Sequence, residues 1–214
     1  AAPVLEQVHR LSYFIAEEPK TARAFLKAIQ HPTPLSMLRI ERLDHNTADE
    51  DVGPLLDPVL GGTDAGILSE AGCPAVADPG SRLVALAHER GVMVRPLAGP
   101  SSIVLALMAS GLEGQRFAFR GYLPVKEPDR TRAIQSLEAR SRRDAETQVF
   151  IEAPYRNDGL LKALLSGCHA NTWLCTATDL TLPTESVRTR RVGEWRTAVP
   201  TLDRRPTVFL LLAR

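Results

Sequence analysis

Between residues 65 and 111 the chain alternates short apolar runs with helix-forming stretches: AGILSE, SRLVALAHERG, VMVRPL and then PSSIVLALMASG. Strand, loop, helix, strand, loop, helix leaves no room for tight hairpins, and crossovers of this kind produce a parallel sheet. Gly91 and Gly111 stand where the two helices should close, the place where a left-handed residue satisfies the last carbonyls. After Gly111 the order changes. FAFRGYLP reads as a strand running into a linker, RTRAIQSLEARSRR as a basic helix, TQVFIEAP as a strand and NDGLLKALLSG as a helix. NTWLCTAT, TESVRTRRVGEW and PTVFLLLA then follow as three strands with no helix between them, which argues for a mixed or antiparallel sheet. The expectation is two α/β domains, 1–114 with a mainly parallel sheet and 115–214 with a mixed one.

Ahead of the alternation, PVLEQVHRLSYFIA (residues 3–16) and KTARAFLKAIQ carry apolar residues at helical spacing. LSMLRIERL alternates like a strand, and ADEDVGPLLDPVL reads as a helix with an acidic first turn. With 44% hydrophobic and 24% charged residues, 214 residues can bury a real core. No apolar run approaches the ~18 residues of a membrane-spanning helix, and the start lacks the order of a secretory signal, so a cytoplasmic setting is expected. The three cysteines, Cys73, Cys168 and Cys175, show no CxxC spacing, which indicates neither a disulfide framework nor a zinc site. Residues 1–110 carry 9 Lys and Arg against 13 Asp and Glu, and residues 111–214 carry 17 against 12. The basic half hints at an anionic partner, although unequal solvated faces are the favoured reading of so small an excess.

In an open parallel sheet, ligands sit beyond the carboxyl ends of the strands, where SEAGCPAVADPG (69–80) and LAGPSS (97–102) are expected. Gly72 and Gly99 let backbone approach a ligand, prolines stiffen both loops, and the helix after Pro100 offers free N–H groups to an anion. Either loop alone reads as well as a plain βα turn; two together favour binding. Neither is GxGxxG or GxxxxGK[ST], and no GxSxG elbow is present, so dinucleotide, P-loop and serine-hydrolase readings lack support. LDHN places Asp44, His45 and Asn46 after a strand. Neighbours on an extended chain point oppositely, so a turn built on Asp44 and Asn46 is favoured over a metal cluster. Glu17 and Glu18 close the helix read over the start of the chain, where acids oppose the dipole. FIEAPYRN sets Glu152, Tyr155 and Arg156 directly after a strand. Arg130, Arg132, Arg140, Arg142, Arg143, Arg188, Arg190 and Arg191 allow phosphate contact, but 5% aromatics do not signal base stacking.

SEAGCPAVADPGSRLV, PLAGPSSIVLALMASGL and RFAFRGYLP, in this order and spacing, resemble the tetrapyrrole methylase superfamily of S-adenosylmethionine-dependent methyltransferases. The branch they look most like 2′-O-methylates a cytidine of small-subunit ribosomal RNA, and AEEPK, LDHN, FIEAPYRN and ATDLTL also fall where that branch has motifs. The resemblance implies a two-domain α/β homodimer, with S-adenosylmethionine held between the domains and no metal required. Carried over by position, Gly72, Cys73, Pro74 and Val76 contact the cofactor from the first loop, and Ser101, Ser102 and Ile103 from the second. Ile151, Ala177, Pro206 and Thr207 are added by the second domain. Cys73 is expected to act through its backbone, its thiol being incidental. Lys20, His45, Asn46, Tyr155 and Arg156 fall on the substrate side, and Glu17, Asp44 and Glu152 are the candidate bases. The branch usually reads EDTR where this chain has Glu17 to Lys20, ESxHR where it has Glu152 to Arg156, and an arginine where it has Thr178. Family members also begin with a strand and a Gly/Pro-rich loop that nothing ahead of PVLEQVHR supplies, so the first strand is expected to be missing. Competing readings are methylation of a tetrapyrrole-like or other small acceptor, and S-adenosylmethionine binding without catalysis.

Overall fold

A computed structural model describes residues 2–214 and divides the chain into two compact units, 1–100 and 101–214. The first unit runs α1 (Ala2–His9), β1 (Tyr13–Ala16), α2 (Pro19–Ala28), β2 (Arg39–Arg42), α3 (Asp49–Val52), α4 (Asp57–Leu60), β3 (Ala65–Leu68) and α5 (Gly80–Glu89). Its three strands form a parallel sheet in the order β2-β1-β3. The central strand is Tyr13–Ala16, which helical spacing had assigned to the end of one helix spanning 3–16. All four of its residues are buried, and an apolar run covered on both sides carries no period that separates a strand from a buried helix. Tyr13 and Ile15 pack with Leu43, Leu55, Leu83 and Ala87, while Phe14 turns the other way onto Val8, Leu26 and Leu38.

Two further segments depart from the expected elements. ADEDVGPLLDPVL is not one helix: α3 gives way to a 3-10 turn at Gly53–Leu56 and then to α4, because Pro54 and Pro58 lack the N–H that a continuing helix donates. VMVRPL pairs with no strand among the described residues. Val92 and Val94 do turn inward onto the first core, so the period of two is real, but Pro96 cannot donate to a ladder.

The second unit runs α6 (Ser102–Ser110), β4 (Phe117–Tyr122), α7 (Asp129–Asp144), β5 (Thr147–Ile151), α8 (Asn157–Gly167), β6 (Trp173–Thr178), β7 (Ser186–Arg191), α9 (Val192–Trp195) and β8 (Thr207–Leu212). α9 takes the VGEW that the pattern had joined to the preceding strand. Five strands form the expected mixed sheet, ordered β4-β5-β8-β6-β7, with β4 and β5 parallel and the remaining pairs antiparallel. α6, read from the sequence as the end of the first domain, belongs to this unit because Ile103 and Ala106 bury against Val149, Cys175, Ala177, Val208 and Leu210. Gly111 closes it in the left-handed region at φ 69°. Residues 149 to 151, 174 to 178 and 207 to 212 alternate between this face and an opposite core, where Phe150, Leu174, Phe209 and Leu211 meet Ile134, Leu160, Leu164 and Trp195. Phe150 and Phe209 stack at 5.9 Å, each contributing about 1.5–3 kcal/mol of burial. Among the described residues no helix is long and apolar enough to cross a membrane.

Candidate functional site

In the first unit the loops leaving the carboxyl ends of β1, β2 and β3 are tied to one another. Glu17, directly after β1, donates its N–H to the Leu68 carbonyl and accepts the Glu70 N–H on Oε2 at 3.2 Å. Glu18 caps α2 by accepting the Lys20 N–H at 3.1 Å, and its carboxylate takes the Arg42 guanidinium at 3.0 Å. These acids begin a helix instead of ending one, so they stand where the dipole favours them. Lys20 itself projects into solvent.

Asp44 builds a turn. Its Oδ1 accepts the Asn46 N–H at 2.8 Å and the Thr47 hydroxyl at 3.2 Å, and Arg42 lies 3.4 Å from Oδ2. The Asn46 amide, supported by Thr47 and Arg42, holds its carboxyl below the usual carboxylate range, against a smaller opposing effect of burial. An acid so satisfied is a poor proton acceptor. His45 and Asn46 are exposed on the same turn. Arg82 of α5 fixes it from behind, donating to the carbonyls of Thr47 and Asp44 at 2.8 and 2.9 Å and to Asp49 at 2.9 Å. Sequence reading missed Arg82, which acts across more than thirty residues and leaves no local signal.

The loop after β3 keeps its shape through its own side chains. Ser69 donates to the Gly72 carbonyl at 3.1 Å, and Asp78 accepts the N–H groups of Ala75 and Gly80 at 3.1 and 2.7 Å. Asp78 thereby satisfies amides at the start of α5; an acid two residues ahead of a helix was its legible signal. Ala75 and Ala77 have φ of 66° and 59°, a left-handed geometry that costs a non-glycine residue about 1–2 kcal/mol. Such strain persists where surrounding bonds over-determine it, often in ligand-facing segments. Gly72 has φ 80°, and a Cβ added there, or at Gly99, would meet nothing within 4 Å. Pro74 is half-buried and Val76 exposed. The Cys73 thiol donates to the carbonyls of Gly99 and Pro100 at 3.7 and 3.5 Å, so it links the two glycine-proline loops.

In the second unit, three of the sequence-derived cofactor residues, Ile103, Ile151 and Ala177, come together around Val208. Strand register sets Ile151 opposite Val208 and Val208 opposite Ala177, a row running across three strands. Ile103 from α6 packs onto it. The Ser101 hydroxyl does not cap α6, so amides of the first turn keep no side-chain partner; Ser102 is exposed beside it. Thr207 stands opposite Thr178, their hydroxyls 3.1 Å apart, and the exposed Pro206 accepts the Asp179 N–H at 3.0 Å. Glu152, directly after β5, is buried. Its Oε1 accepts the Ala153 N–H at 2.7 Å and the Arg156 guanidinium at 2.6 Å, while its Oε2 has no partner. Arg156 in turn lies over the exposed Tyr155 ring, 5.1 Å from its centroid. The basic helix α7 is partly neutralised from within its own chain, by Asp129 on Arg132 and Asp144 on Arg143.

S-adenosylmethionine asks for an apolar surface, donors for its carboxylate and backbone it can approach. Within the second unit the Ile103, Ile151, Ala177 and Val208 row and the uncapped start of α6 fit the first two of these; within the first unit Gly72 and Gly99 present bare backbone.

The family model described as Tetrapyrrole (Corrin/Porphyrin) Methylases matches residues 2–195. Among curated proteins, the chain is 33% identical over 151 residues to the ribosomal RNA small subunit methyltransferase I of Escherichia coli O157:H7, covering 71% of this chain and 51% of that protein. It is 37% identical over 147 residues to the protein of that name from Mesorhizobium japonicum, covering 68% and 48%. The chain thus spans about half the length of the curated relatives it matches. Among solved structures, the methyltransferase CobJ superposes with a TM-score of 0.65 at 18% identity, covering 100% of this chain and 87% of that one. A cobalamin biosynthetic enzyme, cobalt precorrin-4 methyltransferase, gives 0.60 at 16%, covering 99% and 88%.

Proposed function

Because the chain belongs to the tetrapyrrole (corrin/porphyrin) methylase family, we propose that it serves S-adenosylmethionine-dependent methyl transfer with small-subunit ribosomal RNA as the acceptor. The observation that carries the cofactor assignment is the apolar row of Ile151, Val208 and Ala177 with Ile103 against it, beside an uncapped helix start. The printed names of the curated relatives support the RNA acceptor, and a ribose 2′-hydroxyl is the group we assign to it. When bound, S-adenosylmethionine supplies a methyl group on a sulfonium, which an in-line attack displaces.

The residues of this chain then have two tasks, alignment and removal of the hydroxyl proton. Glu17 is the base we assign, since it is half-buried at the end of the central strand and only its Oε2 is held, by the Glu70 amide. Asp44 spends its carboxylate on a turn, and buried Glu152 is paired with Arg156; both are positioning residues in this scheme. Lys20, His45 and Tyr155 are exposed and suit contacts with a large anionic acceptor. A homodimer in the cytoplasm completes the proposal.

The test is transfer of a labelled methyl group from S-adenosylmethionine to small-subunit ribosomal RNA, with cofactor binding measured by calorimetry. Glu17→Gln, which keeps an acceptor for the Glu70 amide, should bind cofactor as the unaltered chain does and lose about 10²–10⁴-fold in transfer rate. No cofactor binding by the chain would refute the methyltransferase reading. Binding with methylation of a porphyrin-like acceptor and none of RNA would refute the acceptor.

A further inference from the structure

The face of the second sheet turned away from α6 carries a cavity whose lining includes none of the carried-over cofactor residues. Strand register sets Thr176 opposite Arg188 and Thr178 opposite Ser186. Because Cys175 and Ala177 point to the α6 side, Thr176 and Thr178 and their cross-strand partners share the other face. The segment returning to β8 passes over them, and Thr201 and Arg205 close a cavity of about 150 Å³. Further along this face the lining is apolar, with Leu174, Phe209 and Trp195 in the core. Here two guanidinium groups and four hydroxyls share the lining with Pro200 and Leu202.

The covering segment is held in an unusual shape. Leu202 donates its N–H to Asp158 at 2.8 Å, and the Arg205 carbonyl accepts the Asn157 amide at 2.8 Å and the Thr207 hydroxyl at 3.0 Å. Between these anchors Asp203 and Arg204 take φ of 48° and 58°, a left-handed pair without glycine that the anchors impose. The consequence is that Arg205 is fixed at the cavity wall. Its guanidinium lies 3.5 Å from Asp179, which is shared with the Thr184 hydroxyl. Among the described residues no ion pair includes Arg188.

We propose that this cavity binds a phosphate group. Planar guanidinium donors and hydroxyls match the oxygens of a tetrahedral oxyanion. Arg188 brings a positive charge with no carboxylate to cancel it. The volume corresponds to about five water molecules at roughly 30 Å³ each, and lies below the ~300 Å³ at which pockets take drug-sized ligands, so the phosphate enters without its nucleoside. Free phosphate, a phosphate monoester and an RNA phosphodiester share this chemistry.

The test is titration of the whole chain with inorganic phosphate, followed by calorimetry and by phosphorus NMR, with Arg188→Gln, Thr176→Val and Arg190→Gln compared. Arg188→Gln should weaken binding at least about tenfold, the worth of one charge-assisted hydrogen bond, and Thr176→Val several-fold. Arg190 lies on the same strand and face but over the Trp195 ring, 5.6 Å from its centroid, so Arg190→Gln should leave binding within about twofold. Displacement of bound phosphate by an RNA oligonucleotide or by a 5′-phosphomononucleotide supports the site, and tells a diester source from a monoester one. Absence of saturable phosphate binding, or equal binding by Arg188→Gln and the unaltered chain, overturns the proposal. S-adenosylmethionine binding measured on the same samples reads the methyl-transfer assignment separately, since the cavity lining holds none of the residues carried over for that cofactor.

Discussion

Replacing Gly72 and Gly99 separately by alanine separates backbone strain from ligand contact. At both positions a new Cβ meets nothing within 4 Å, but only Gly72 has a positive φ, 80°. Gly72→Ala therefore carries the left-handed penalty of about 1–2 kcal/mol, and a chain of this size should lose roughly 2–8 °C in Tm at 2–4 °C per kcal/mol. Gly99→Ala carries no such strain and should stay within about 0.5 kcal/mol of the unaltered chain. The strain at residue 72 is present with and without cofactor, so it cancels from the affinity; what remains is whether the cofactor approaches that backbone. If it does, either Cβ occupies space the ligand needs, and calorimetry with S-adenosylmethionine should show each variant binding at least about tenfold more weakly, or 1.4 kcal/mol. Unchanged Kd in both variants, with the Tm of Gly72→Ala lowered as expected, would refute the placement of the cofactor against these two loops.

Burial pushes the Cys168 thiol up to about 12 and the Cys175 thiol up to about 11, from an ordinary value of 9. Both keep their proton in the folded chain at about pH 10, where unfolded chains have mostly lost it, so stability should fall as pH rises from about 9 through 12; alkaline melts should show this, and Cys168→Ala should lessen it. Thiol titration under native conditions should label half-buried Cys73 first, and its modification should weaken cofactor binding by loosening the link to Gly99 and Pro100. For Asp44 the direction is opposite: a carboxyl held below its usual value contributes stability at neutral pH that is lost as pH falls through the folded value. Asp44→Ala should therefore show less acid sensitivity as pH falls below the ordinary carboxylate range. Ser141→Ala should cost about 1–3 kcal/mol in urea melts. The hydroxyl is buried, donates to the Glu146 carbonyl at 2.8 Å and accepts the Ala213 N–H at 2.9 Å; the carbonyl keeps the Gln148 amide at 3.3 Å, so one N–H is left unpaired, at about 1–3 kcal/mol. A loss under about 0.5 kcal/mol would mean that water replaces it.

What was readable in the residues was whatever physics acts locally. The alternation from 65 to 111 gave β3, α5 and α6, because periods of 3.6 and 2 write burial directly into the chain. Consecutive strands without helices gave the mixed sheet, and glycine and proline marked the irregular loop after β3. Resemblance, not periodicity, supplied Ile151 and Ala177, and the register of β5, β8 and β6 then set them in one row. Tyr13–Ala16 could not be read as a strand, since burial on both faces erases the period. Nor could α6 be assigned to its unit, because an apolar helix does not state which sheet covers it.

The sequence by itself determined the family, the α/β class and most elements, all of which follow from short-range patterns and from motifs of a few residues. Tertiary structure alone decided that Asp44 is spent on a turn clamped by Arg82, that the Cys73 thiol joins two loops, and that Thr176 faces Arg188. Each of these depends on groups far apart in the chain, which share a bond or a cavity only after strand register and helix packing have brought them together.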